Sequence, residues 1–242
     1  MKQLILKTTE EIGKTAGDII ITKITKKPDA ILGLATGSSP LSTYKYLVER
    51  TKKDNIDWSN ITTFNLDEYK GLSSDHEQSY RYFMNENLFK HVNIKMEQTH
   101  VPSGLINSNS EAATYDQKIQ EAGGIDLQIL GLGINGHIGF NEPGTSFDSI
   151  TSVVDLQRST IEANSRFFEN IEEVPTQAIS MGLKTIMKAK EILLIATGSS
   201  KANAVKHLVE GPVTTEWPCS ILQKHPNVTL LLDEDSASLL SE

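Results

Sequence analysis

The chain has 242 residues, 38% of them hydrophobic and 22% charged, enough to bury a sizeable core in one large α/β domain or two small ones. A formal net charge of −8 argues against nucleic acid or an anionic membrane as the main partner, so an anionic ligand would need local cations to hold it. One cysteine, Cys219, excludes a disulfide framework and a thiolate metal site, and no segment approaches the ~18 uninterrupted apolar residues of a membrane span.

In chain order, the first ten residues carry too short an apolar stretch for a secretory leader, which sets the expectation of a cytoplasmic enzyme. Strand patterns follow at residues 4–6, 31–35, 61–66, 125–132, 191–196 and 228–232. Helical patterns fall between them, at 10–23, 41–52, 79–89, 111–122 and 201–210. Short apolar strands alternating with helices predict a mostly parallel sheet covered on both faces. No linker or composition shift interrupts the pattern, so residues 1–242 read as a single domain.

The first strand-to-helix loop is Thr36-Gly-Ser-Ser-Pro40. With Pro40 as the first helical residue and Ser39 as the cap, its free N–H groups would cradle an anion. A near copy, Ile195-Ala-Thr-Gly-Ser-Ser200, ends a later strand and is followed by Lys201, a full positive charge for a bound phosphate. Strand-to-helix turns also favour Gly and Ser as ordinary turn and cap residues. Neither loop has P-loop spacing, so a small sugar phosphate fits better than a nucleoside triphosphate.

The strand at 61–66 runs into Asp67-Glu68-Tyr69. Alternation lets only one of the two carboxylates face a crevice, and a solvated turn is the plain alternative.

The densest segment is Gly131-Leu-Gly-Ile-Asn-Gly-His-Ile-Gly-Phe-Asn-Glu-Pro-Gly144, which sets His137, Glu142, Asn135 and Asn141 on glycine-rich backbone. Glycine lets backbone approach a ligand closely, and a carboxylate within loop reach can orient an imidazole. Gly131-x-Gly133-x-x-Gly136 matches the dinucleotide fingerprint formally, but Gly139, Pro143 and Gly144 break the helix that should follow, so NAD is rejected. No metal-ligand spacing and no Gly-x-Ser-x-Gly elbow appear, which predicts no metal and no serine hydrolase. His76, His91, His100, His207 and His225 read as surface or packed residues. Arg166, in Ala163-Asn-Ser-Arg-Phe-Phe168, is either a bidentate phosphate ligand or a surface helix charge.

Together the blocks Leu-Ala-Thr-Gly-Ser-Ser-Pro, Phe-Asn-Leu-Asp-Glu-Tyr, Gly-Ile-Asn-Gly-His-Ile-Gly-Phe-Asn-Glu-Pro, Ala-Asn-Ser-Arg-Phe-Phe and Gly-Ser-Ser-Lys-Ala resemble the glucosamine-6-phosphate deaminase family, in matching order along the chain. The resemblance implies a modified doubly wound, Rossmann-like α/β sheet with a mobile helical lid over roughly 152–181. It implies conversion of glucosamine 6-phosphate to fructose 6-phosphate and ammonia, without a cofactor, in amino-sugar catabolism. It makes Asp67 the base that moves the C2 proton to C1. His137 would assist ring opening, tuned by Glu142 and Asn135. Gly37, Ser38, Ser39, Arg166 and Lys201 would hold the phosphate.

Position 135 is Asn where the allosteric members carry Asp, and Ser152-Val-Val-Asp155 lacks their basic residues. With the chain also ending soon after its last strand, a short, unregulated enzyme is expected, as a monomer or small homo-oligomer. A 6-phosphogluconolactonase-like hydrolase is the competing enzyme, although its loop typically continues with Ser and Phe-Pro. A sugar-phosphate sensor is the non-catalytic alternative, but no basic DNA-binding module precedes residue 31.

Overall fold

A computed structural model describes residues 1–241, with all their side chains but those of Ala163 and Phe167. Runs that are apolar without alternation become the centre of a parallel sheet, because strands covered on both faces bury every side chain. β2 (Ile31–Leu34) and β9 (Ile192–Ala196) are buried at every position. Around them lie β1 (Lys2–Leu6), β3 (Thr62–Asn65), β5 (Thr99–His100), β6 (Leu127–Gly131) and β10 (Val228–Asp233), in the order β1-β10-β9-β6-β2-β3-β5. All six pairings are parallel.

The covering helices obey local rules. α1 (Thr9–Lys26) is capped by the Thr8 hydroxyl, with Glu10 and Glu11 in its first turn and Lys23 and Lys26 in its last, each sign complementing the helix dipole. α2 (Leu41–Asp54) ends on Asn55 in the left-handed region, at φ 52°. α4 (Asn109–Glu121) is capped by Ser108, and α7 (Ala202–Val209) follows β9.

A second sheet was not read from the sequence. β4 (Asp67–Tyr69), β7 (Ser152–Asp155) and β8 (Gln177–Ser180) form an antiparallel three-stranded sheet in the order β4-β8-β7. The strand expected at 61–66 therefore stops at Asn65, and the acidic pair opens a separate strand. Three- and four-residue strands carry too few alternations to show a period, and β4 needs a partner far away in the chain. The segment 152–181, expected as a helical lid, begins and ends in strands of this sheet. Its middle holds α5 (Arg158–Asn164) and two short 3-10 turns. Beneath it Tyr69, Phe140, Leu156 and Ala178 form a small apolar cluster, separate from the main core, against which Ile161 and Phe168 pack.

Candidate active site

β2 and β6 are neighbours in the large sheet, yet the chain continues from β2 toward β3 and from β6 toward β9. Their carboxyl-terminal loops therefore leave in opposite directions and open a crevice between them, the place where open α/β sheets bind ligands. The two loops meet: a Cβ on Gly131 would stand 3.4 Å from the Ser39 hydroxyl oxygen. Gly37, at φ 88°, makes the turn out of β2. Ser39 does not cap α2 as expected. Pro40 occupies the N-cap position without a side-chain cap bond, and its carbonyl accepts from the Tyr44 N–H. The Ser39 hydroxyl is turned toward the β6 loop instead.

The second Thr-Gly-Ser-Ser loop differs from the first. Its Gly198 N–H is given to both carboxylate oxygens of Asp233, at 3.0 and 2.9 Å, so this donor already serves a protein anion. Lys201 stands at the start of α7. Burial, with the Arg166 charge beside it, holds its ammonium below the ordinary lysine range. The fold thus brings Arg166, on the short turn after α5, to the same region as Lys201.

After β6 the chain makes turns rather than a helix, so the dinucleotide reading fails in the structure as in the sequence. The loop folds back on itself: Gly133 N–H donates to the His137 carbonyl at 2.9 Å. Any Cβ on Gly133 would overlap the His137 ring. Gly136, at φ 82°, passes so close to Trp217 that an added Cβ would lie 2.7 Å from its ring. These glycines give the imidazole one place to lie.

Asn135 joins the titratable pair. Its Nδ2 donates to Glu142 Oε2 at 2.8 Å, and its Oδ1 lies 2.7 Å from His137 Nδ1. The opposite amide orientation would set a carbonyl against a carboxylate, so the network fixes the orientation. An amide oxygen only accepts, so Nδ1 carries the hydrogen and Nε2 is left as the imidazole's working nitrogen. Glu142 is buried; burial pushes its carboxyl up, but His137, Thr160 and Asn135 together hold it below the ordinary glutamate range. Thr160 of α5 donates its hydroxyl to Glu142 Oε1, and Asn135 also meets Gln157 at 3.5 Å.

Asp67 and Glu68 separate as strand alternation requires. Glu68 turns away and accepts three backbone N–H groups, which excludes a solvated turn. Asp67 is 7% exposed, and among the described residues nothing donates a hydrogen bond to it. Burial, with the Glu68 charge adding to it, pushes its carboxyl up to about 8. Asp67 pairs with Ser180 across the β4–β8 ladder. The Ser180 hydroxyl accepts the Phe140 N–H at 3.0 Å, and Asn141 donates to the Met181 carbonyl at 2.8 Å. The base candidate and the His137 loop are therefore built onto one strand end.

Three parts of this arrangement were invisible in the sequence: Ser180 as the link, Thr160 on Glu142, and Glu68 as a backbone acceptor. None of them lies in a periodic or glycine-rich pattern. The other histidines take packing or local bonding roles, such as His100 stacked on Phe64 at 4.6 Å and His225 bonded to the Ala189 carbonyl at 2.7 Å. Among the described residues no group of three His, Cys, Asp or Glu is placed to hold a metal ion.

Residues 3–231 match the family model described as Glucosamine-6-phosphate isomerases/6-phosphogluconolactonase. The glucosamine-6-phosphate deaminase of Thermoanaerobacter pseudethanolicus is 53% identical, with 100% of this chain and 96% of that protein covered. The deaminase of Clostridium perfringens is 52% identical, with 99% and 100% covered. A solved structure described as a monomeric glucosamine-6-phosphate deaminase, missing link of the NagB superfamily, superposes with a TM-score of 0.97 at 46% identity, covering 99% of this chain and 100% of that one. The 6-phosphogluconolactonase from Trypanosoma cruzi shares the fold at a TM-score of 0.79 but only 17% identity, with 100% and 97% covered. On sequence, topology and site together, the chain belongs to the glucosamine-6-phosphate isomerase/6-phosphogluconolactonase family.

Proposed function

We propose that this protein catalyses the isomerising deamination of glucosamine 6-phosphate to fructose 6-phosphate and ammonia, a step of amino-sugar breakdown. The observation that carries the assignment of roles is the pairing of two distinct titratable sites on one strand end. One is a buried carboxylate without donors among the described residues, Asp67; the other is an imidazole oriented through Asn135 by Glu142.

The chemistry needs two sites. The C2 proton is removable only when C1 is a carbonyl, so the pyranose must open before carbon chemistry starts. His137 Nε2 moves the proton between the anomeric hydroxyl and the ring oxygen, while its Nδ1–H stays on Asn135. Asp67 then takes the C2 proton, and the electron pair moves into a C1–C2 enolamine. The same carboxyl returns the proton to C1, leaving an imine at C2. Water adds to that carbon and ammonia departs, so one water is consumed and no electrons are exchanged. Desolvation suits Asp67 to this work, because a carboxylate deprived of water is a stronger base than an ordinary one.

Phosphate binding is assigned to Gly37, Ser38, Ser39, Arg166 and Lys201. An anion there offsets both the burial of Lys201 and its repulsion by Arg166. The segment from 152 to 181 would act as the lid, carrying Arg166 and Thr160 toward the crevice together. The proposed working form is a monomer in the cytoplasm. Among the described residues no helix is long and apolar enough to cross a membrane, and a relative 46% identical is described as monomeric. The test is incubation of the purified protein with glucosamine 6-phosphate in heavy water. Ammonia and fructose 6-phosphate are expected, with deuterium at C1 to the extent that the Asp67 carboxyl exchanges with solvent before returning its proton; hydrolysis of 6-phosphogluconolactone without ammonia release from the amino sugar would overturn the assignment.

A further inference from the structure

The residue after the proposed base is built into the protein more firmly than the base itself. Glu68 is 2% exposed. Its Oε1 accepts the N–H groups of Tyr69 at 2.8 Å and Tyr80 at 2.9 Å, and its Oε2 accepts that of Arg81 at 3.0 Å. Tyr80 and Arg81 are the first two residues of α3 (Tyr80–Asn87), and the third N–H of that helix, on Tyr82, goes to the Ser79 hydroxyl at 3.0 Å. Ser79 is therefore the helix cap, and Glu68 reaches in from another element to take the two donors the cap leaves. Beyond its three-residue ladder with β8, a strand this short has little else to fix its rotation about its own axis.

We propose that Glu68 is a positioning residue for proton transfer: by binding the start of α3 it fixes the rotation of β4 and so aims the Asp67 carboxylate at the substrate. This rests on the reading of Asp67 as the base. Rotating β4 to free Glu68 would turn Asp67 as well, since successive side chains are locked to opposite faces. Glu68 also acts through charge. Burial pushes its own carboxyl up to about 7, but three N–H donors oppose that, whereas among the described residues Asp67 has no donor to stabilise its anion. The proton goes first to Asp67. The groups facing the pair are Arg81 and Tyr80 from α3, Tyr69 from β4 and Tyr115 from α4, and burial raises all three phenols, so Glu68 is the neighbouring anion. Glu68 also lines a pocket of about 280 Å3 together with Arg81, Ser74, Leu72 and Pro102.

The experiment compares Glu68→Gln, Glu68→Asp and Asp67→Asn in the full chain, reading kcat, KM, the pH profile of kcat and thermal stability. Glu68→Gln puts an amide N–H against a backbone N–H and removes the charge. It should lower kcat by ~10–100-fold with KM within ~3-fold, and move the acidic limb of kcat to lower pH by about one unit. Glu68→Asp keeps the charge but is one methylene too short to span both helix donors. Its kcat should fall at least ~10-fold, with the acidic limb where the wild type has it. A wild-type kcat in Glu68→Asp, or a Glu68→Gln enzyme whose limb does not move, would overturn the proposal and leave Glu68 a helix anchor only. Should Glu68→Gln fail to fold, the Asp variant decides. Turnover persisting in Asp67→Asn would instead remove the base assignment itself.

Discussion

Thr160 donates its hydroxyl hydrogen to the Glu142 carboxylate, and through that bond α5 is tied to the loop that carries His137. Thr160 lies 7% exposed and Glu142 equally so, which makes this a charge-assisted bond away from bulk water. The same stretch of chain carries Arg166 to Lys201. One stretch of chain thus touches both the Glu142–His137 loop and the region of Lys201.

Thr160→Val, which keeps the shape and removes the hydroxyl, should lower kcat/KM by ~10–100-fold, while Thr160→Ser keeps most of it. Steady-state kinetics of the two variants decide. Equal losses in both would mean that packing rather than the hydroxyl matters there.

Asp67→Asn should lower turnover by ~100–10,000-fold and leave substrate affinity nearly unchanged. It should also stabilise the fold in a pH-dependent way. The Asp67 carboxyl is raised from 3.8 to about 8, so the folded state holds a proton that the unfolded chain has lost. The wild type therefore loses stability as pH rises across that window and levels off above it. Denaturant unfolding should show the variant more stable by about 1–3 kcal/mol at pH 8, with the gap closing toward pH 4. A constant gap would contradict the burial argument.

Asn135→Ala removes both the acceptor for His137 Nδ1–H and the donor to Glu142. Turnover should fall by ~10–100-fold, with a small change in KM. Asn135→Asp restores the acceptor but sets a carboxylate against Glu142, so an intermediate rate is expected. Wild-type turnover in the Ala variant would show that Asn135 does not hold the imidazole.

Lys201→Ala and Arg166→Ala should each raise KM by ~10–100-fold and change kcat by less than ~3-fold, because a phosphate remote from C1 and C2 supplies binding that is uniform through the reaction. Turnover losses matching those of Asp67→Asn, at unchanged KM, would refute this division of labour.

Rate against glucosamine 6-phosphate should be hyperbolic and insensitive to added N-acetylglucosamine 6-phosphate. β7, Ser152-Val-Val-Asp155, carries no basic side chain to bind such an activator. A sigmoidal curve, or activation by that compound, would require a regulatory site elsewhere.

The sequence reading recovered six of the seven strands of the large sheet, because long buried runs and helical periods are local signals. The second sheet escaped it for the converse reason. β4, β7 and β8 are too short to show alternation, and β4 finds its partner β8 more than a hundred positions away. Ser39 does not act as the cap its sequence position suggests, because Pro40 takes the N-cap place and the Ser39 hydroxyl lies beside Gly131 of β6.

What the chain determined by itself was the chemistry available: glycines where backbone must turn, a His, an Asn and a Glu within eight residues, and an Asp at the end of an apolar run. What only the tertiary structure decided was which of those groups face one another and in what state of charge. Alternation offered Asp67 and Glu68 as equals. The start of α3 claimed Glu68 with two N–H groups and Tyr69 of its own strand added a third, whereas Asp67, paired with β8, has no donor among the described residues. A carboxylate's basicity is set by the donors and water around it, and those surroundings exist only once the distant segments have met.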